Sequence, residues 1–156
     1  MFTINKEIEF DAGHRVPLHE SKCKNPHGHR YRVVARVFGE LITEGPESGM
    51  VRDFSVVKQL LTKHVHDRFD HGFIVAKADG PMLHALGELN DDNEVLVDHA
   101  SGEENRYGWK VIVVDYYPTA ECLARDIYDT LKPELPNLFG IDVWETPTSC
   151  ATYMED

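Results

Sequence analysis

The chain has 156 residues, of which 42% are hydrophobic and 28% charged, and its formal net charge is −11. That length suits a single domain, residues 1–156, whose core is large enough to fold without disulfide staples, and the acidic balance excludes a non-specific binder of nucleic acid or anionic membranes. With no apolar run of about eighteen residues and no signal-peptide core in "MFTINKEIEF", a cytoplasmic protein with no membrane contact is expected.

The first segment, "FTINKEIEFDAGH", alternates. Phe2, Ile4, Ile8, Phe10, Ala12 and His14 share parity, with Lys6 the exception, so a strand is expected with His14 on its apolar face. Residues 15–26 hold two prolines and many polar groups and read as a loop. A second strand follows in "HRYRVVARVFGEL", where Tyr31, Val33, Ala35 and Val37 share parity with His27 and His29, while Arg30, Arg32 and Arg36 point the other way. The two strands are expected to pair as a hairpin.

"ITEGPESG" is a turn-rich connection. "MVRDFSVVKQLLTKHVHDRF" is expected to begin as a short strand and become a helix, with Val56, Val57, Leu60, Leu61, His64 and Val65 as its stripe and Asp53 or Ser55 as its cap. The stretch from Ile74 to Arg106 is irregular, with a short helix in "KADGPMLHALGELNDDN" and a hairpin whose turn lies near "SGEEN". "WKVIVVD" reads as a strand. A second helix from Thr119 carries Leu123, Ala124, Ile127, Tyr128 and Leu131 on one side, and Pro133 helps to end it. "GIDVWETPTS" reads as the last strand. This order argues for an α+β fold, an antiparallel sheet with helices on one face.

Chemistry concentrates in "CKNPHGHRY". His27 and His29, two apart on one strand, project to the same side, and His14 at matching parity on the neighbouring strand completes a facial set of three imidazoles. Such a set suits zinc and leaves a fourth position for water or substrate. The alternative is three histidines with ordinary hydrogen-bonding jobs.

The three cysteines, Cys23, Cys122 and Cys150, are odd in number and widely spaced, which favours reduced thiols. Lys22 and Lys24 flank Cys23, and cations beside a thiol favour thiolate, a nucleophile or general base. Cys23 could equally be a fourth metal ligand or a small apolar loop residue. Arg15, Lys22, Lys24 and Arg30 cluster about this motif and offer a local positive site for an anionic substrate, or a solvated surface. Asp70–His71 sets a carboxylate beside an imidazole, an arrangement suited to holding and passing a proton; Asp98–His99 repeats the dipeptide. His19, His64, His66, His84 and His99 are expected to be surface or packing residues. Glu145 faces inward if Val143 does, and a buried carboxylate would match a nitrogen-rich heterocycle with adjacent N–H donors; otherwise it is an edge-strand surface acid.

"FDAGHR", Cys-x3-His-Gly-His, "MVRDFSVVK", an Asp-His after a helix, "PTAE" and "WET" occur in that order. The set resembles the 6-pyruvoyl-tetrahydropterin synthase and 6-carboxytetrahydropterin synthase family over most of the chain, excepting roughly residues 74–110. The resemblance implies the tunnelling fold (T-fold), a four-stranded antiparallel sheet with two helices on one face. It also implies assembly into a barrel of subunits, a hexamer made as a dimer of trimers, with active sites between subunits. It implies zinc on His14, His27 and His29, Cys23 as catalytic thiol, Asp70 and His71 as proton relay, Glu145 as anchor of the pterin ring and Thr119 near it.

The implied enzyme is a lyase acting on 7,8-dihydroneopterin triphosphate. The three-residue gap between Cys23 and His27 resembles the carboxytetrahydropterin enzymes of queuosine biosynthesis, whose product is 6-carboxy-5,6,7,8-tetrahydropterin with acetaldehyde and triphosphate. The alternatives are the pyruvoyl-type reaction on the same substrate and a non-catalytic zinc-binding oligomeric module. The excursion at about 74–110 is longer and more acidic than compact members need.

Overall fold

β1 (Phe2–His14) and β2 (His27–Gly39), thirteen residues each, pair antiparallel along their whole length, from Phe2 opposite Gly39 to His14 opposite His27. The alternation that marks them in sequence has its cause here. Phe10, Ala12, Tyr31, Val33, Ala35 and Val37 are buried on one face, and a slip of one residue would turn every one of them to the other side. The structure, a computed structural model, describes residues 1–92, 94, 95 and 100–155.

Around this hairpin the sheet extends in both directions. β3 (Gly72–Ala76) lies parallel to β1, and β4 (Val111–Val114) lies parallel to β3. On the other side β5 (Leu138–Thr146) pairs antiparallel with β2, and β6 (Ser149–Met154) with β5. The order is β4-β3-β1-β2-β5-β6, a six-stranded mixed sheet. The sequence reading of four antiparallel strands is corrected on the strand count and on the two parallel strands.

The missed strands have physical reasons. β4 is present within "WKVIVVD" as expected, whereas β3 escaped because "GFIVA" is covered on both faces and shows no alternation. Ile74, Ile112 and Val114 enter the main core, while Val75, Val111 and Val113 form a second cluster with Leu83. Short parallel strands covered on both sides read as continuous apolar runs. β6 escaped because it is an exposed edge strand with only Ala151 and Tyr153 half-buried.

Helices α1 (Phe54–Leu61) and α2 (Asp67–Phe69) are joined by a wider π-helical stretch, Thr62–His66, and act as one rod. Asp53 is the cap, accepting from Ser55 N–H, and the segment before it is not a strand. Val57, Leu61, Val65 and Phe69 face the sheet. α4 (Ala120–Leu131) packs on the same sheet face through Leu123, Ala124, Ile127 and Leu131, so two helices on one face are present as expected. α3 (Gly80–Ala85), the short helix expected in the excursion, covers the opposite face of β3 and β4 through Leu83. Of the hairpin expected near "SGEEN", the described part is an isolated bridge between Glu104 and Lys110. Asp98 and His99 lie outside the described residues. No helix among the described residues is long and apolar enough to cross a membrane.

Candidate metal centre and its surroundings

His14 and His27 are direct cross-strand partners, and His29 sits opposite Ala12, one inward-facing position along. The β1–β2 register therefore brings the three rings together, with centroids 4.6, 5.1 and 4.9 Å apart. One ligand nitrogen from each lies within 4.8 Å of the others. Backbone proximity makes this possible. Gly13 and Gly28 face each other between the ligand pairs; a Cβ at Gly28 would lie 3.1 Å from Ala12 O, and one at Gly13 would lie 2.7 Å from the Phe73 ring.

The tautomers follow from the partners. His14 Nδ1 lies 2.7 Å from Pro118 O and His27 Nδ1 lies 2.7 Å from Asn25 O. A carbonyl only accepts, so each Nδ1 carries the proton, which leaves both Nε2 lone pairs pointing inward. The two Nε2 atoms are 3.0 Å apart. Two neutral imidazole lone pairs at that distance repel, and a cation between them removes the conflict. Burial, more than the backbone contact to Pro118 can offset, pushes His14 down to about 4, with His27 and His29 adding to the effect. Burial and the proximity of His27 push His29 down as well. Neutral, oriented imidazoles with second-sphere carbonyls are a fitting donor set for a borderline metal such as zinc.

Glu145 on β5 reaches this cluster, with Oε1 3.9 Å from His14 Nε2 and a side chain one-quarter exposed. Burial raises its pKa and Glu121 raises it further, while His27 acts the other way. Glu121 was not singled out from the sequence, although it stands two residues after the cap of α4 within "PTAE". Thr119 lies beside the centre through its neighbour Pro118, and its hydroxyl caps α4 by accepting from Cys122 N–H at 3.3 Å. Tyr31, also missed, lies edge-on to His14 and His29, with ring centroids 5.9 and 5.5 Å away. Its hydroxyl is fully buried and has no hydrogen-bond partner among the described residues.

Cys23 is half-buried within a single 3₁₀ turn, Lys22–Lys24, four residues before His27. Of the nearby cations, Arg30 is engaged by Glu9 and Asp11 and Arg15 by Asp79. Lys22 and Lys24 are exposed.

Asp70 and His71 are brought to each other, His71 Nδ1 lying 2.7 Å from Asp70 Oδ2. They meet β1 at Asp11, whose N–H donates to Asp70 Oδ1 at 3.0 Å and whose carbonyl accepts from His71 N–H at 2.7 Å. Burial opposes ionisation of Asp70, but the Asp11 N–H and the His71 ring outweigh it and hold the carboxyl below its usual range. His66, expected to be a plain surface or packing residue, also approaches Asp70, at 3.6 Å. His71 has a left-handed backbone (φ 59°) and a side chain 78% exposed. The His71 ring is thus open to solvent, while Asp70 is mostly covered.

A mixed sheet with two helices on one face, and with three converging imidazoles on its central hairpin that could hold a metal ion, has the architecture of the T-fold class. The sequence profile described as 6-pyruvoyl tetrahydropterin synthase matches residues 3–156. The chain belongs to that family. A Haemophilus influenzae protein named 6-carboxy-5,6,7,8-tetrahydropterin synthase is 34% identical over 159 residues, covering 99% of this chain and all of that one. An uncharacterized protein of Wolinella succinogenes superposes with a TM-score of 0.78 at 24% identity, covering 99% of this chain and 98% of that one. The 6-pyruvoyl tetrahydropterin synthase of Caenorhabditis elegans superposes with a TM-score of 0.63 at 22% identity, covering 99% of this chain and 96% of its own.

Proposed function

We propose that the protein is a zinc-dependent 6-carboxy-5,6,7,8-tetrahydropterin synthase of queuosine-type biosynthesis. It converts 7,8-dihydroneopterin triphosphate and water to 6-carboxy-5,6,7,8-tetrahydropterin, acetaldehyde and triphosphate. The carrying observation is the imidazole cluster with a half-buried carboxylate at its edge: His14, His27 and His29 converge, and Glu145 lies 3.9 Å from His14. The full-length likeness to a protein of that name supports the choice of product.

His14, His27 and His29 hold the zinc, which supplies Lewis acidity toward the hydroxyl oxygens of the substrate side chain. Glu145 accepts hydrogen bonds from adjacent N–H groups of the pterin, and Thr119 keeps α4 and Pro118 in place beside it. Cys23, as thiolate, takes a proton from the side chain. The solvent exposure of the His71 ring supports a site completed between chains, in which Asp70 and His71 serve the centre of a neighbouring copy. A homo-hexamer built as a dimer of trimers accommodates that arrangement.

The test is mass spectrometry of the products from purified, metal-loaded protein and 7,8-dihydroneopterin triphosphate, without a reductase. Carboxytetrahydropterin with acetaldehyde is expected. Retention of the three-carbon side chain as a pyruvoyl group would reassign the product. Unchanged substrate from zinc-bearing protein would overturn the reading.

A further inference from the structure

We propose that Arg15 and Asp79 form a positioning pair that fixes the Cys23 turn relative to the imidazole cluster. The proposal rests on the reading of Cys23 as the reacting thiol and goes beyond it, because neither residue has a role in that reading.

Arg15 follows His14 directly at the end of β1, and its guanidinium is divided between two parts of the molecule. Nε donates to Asp79 Oδ2 at 2.6 Å and a terminal nitrogen donates to Asp79 Oδ1 at 2.5 Å. The other terminal nitrogen donates to Lys24 O at 3.2 Å, in the turn that carries Cys23. Only a planar, three-sided donor makes these contacts together; an ammonium is a point charge without that fork.

Asp79 is a firm anchor. Its side chain is 1% exposed, and a carboxylate so buried demands a charged partner held in place. Asp79 N–H donates to Ala76 O at the end of β3, and its carbonyl accepts from Leu83 N–H in α3. Leu83 is buried in the second core cluster.

The thiol turn has little else to hold it. Within it, Val16 N–H donates to Cys23 O, Lys24 N–H to Ser21 O and Asn25 N–H to Lys22 O. Among the described residues, the hydrogen bonds that reach 16–26 from outside come from His27 and Arg15. His27 fixes Asn25, on the metal side. Arg15 fixes Lys24, next to the thiol, and refers it to the sheet through Asp79. A thiol that must meet one proton of a bound substrate tolerates little displacement, about 1 Å being enough to cost on the order of a hundredfold in rate. The pair also gives the excursion a task, since Asp79, which caps α3 by accepting from Met82 N–H, steadies the turn.

The test uses the full-length zinc protein with Arg15→Lys, Asp79→Asn and the double variant. Each is assayed for zinc content, kcat and KM, and for the pH profile of Cys23 alkylation by iodoacetamide, resolved by peptide mass spectrometry with Cys150 as internal control. Expected are zinc near one per chain, KM nearly unchanged, and kcat lowered by roughly ten- to a hundredfold in each single variant. The double variant should be no worse than either single one, and the Cys23 profile should change while that of Cys150 does not. Arg15→Lys keeps a cation against the buried carboxylate, so it decides the matter if Asp79→Asn fails to fold. Wild-type kcat and an unaltered Cys23 profile in Arg15→Lys would overturn the proposal. So would a raised KM with weaker inhibition by inorganic triphosphate and an unaltered profile, which would make Arg15 a phosphate contact. The alkylation profile does not depend on turnover. Full activity in Cys23→Ala would instead defeat the reading of Cys23 itself.

Discussion

His14 and His27 face each other across the β1–β2 ladder with their Nε2 atoms 3.0 Å apart and both Nδ1 protons committed to carbonyl oxygens. Such a pair is a divided ligand set waiting on a shared positive charge. We therefore expect His27→Ala or His14→Ala to reduce bound zinc from near one per chain to background, as measured by elemental mass spectrometry after dialysis. Stoichiometric zinc in either variant would contradict the ligand assignment.

Cys23 lies outside that ligand set, in its own short turn. Cys23→Ala should keep zinc and pterin binding while lowering turnover by at least about a hundredfold, the usual scale for a lost acid–base group. Loss of zinc in this variant would identify the sulfur as a fourth ligand and favour a structural site.

Glu145 separates stability from affinity. Burial and Glu121 raise its pKa in the folded protein, so above that pKa its charge destabilises the fold, and the penalty fades as pH falls and the carboxyl protonates. Glu145→Gln should unfold at higher urea than the parent at pH 8, with the gap narrowing toward pH 5. The same variant should bind pterin more weakly by fluorescence titration. A variant that binds as well as the parent would remove Glu145 from the pocket.

Thr119 has a role visible without any substrate, since its hydroxyl accepts from Cys122 N–H at the start of α4. Thr119→Ala should lower unfolding stability by about 1 kcal/mol, and Thr119→Ser should restore most of it. Equal losses in both would show that the methyl group, and not the cap, matters.

Tyr31 offers the opposite case. Its hydroxyl is buried without a partner among the described residues, and burial followed by the nearness of Glu145 pushes its ionisation up, so it stays protonated. Replacing an unpaired buried hydroxyl by hydrogen removes a desolvation penalty of about 1 kcal/mol or more. Tyr31→Phe should therefore unfold at equal or higher denaturant. A clear destabilisation would mean the hydroxyl has a partner in solution.

The legible parts of this protein were those in which one face is wet. Parity placed His14, His27 and His29 on the buried side of β1 and β2, and helical spacing found α4 together with its Thr119 cap. The illegible parts were those without contrast. β3 is apolar on both faces and β6 is largely exposed, while β4 was legible as a strand but not as a parallel one. Tyr31 reads as an ordinary strand aromatic, and Glu121 as an ordinary acid in the first turn of a helix. The Arg15–Asp79 pair joins residues 64 positions apart, a distance that no local pattern spans.

The two central strands bring the three imidazoles together by register, with His14 directly opposite His27, and the segment between them touches that cluster through Asn25 O on His27 Nδ1. The thiol is carried on a tether whose two ends are pinned by the ligands themselves. Between Arg15 and Asn25 its length and sequence are therefore free to drift without moving an imidazole, and the turn that carries Cys23 can be re-aimed while the three rings stay in place. In such a scaffold, a change at the turn needs no change at the cluster.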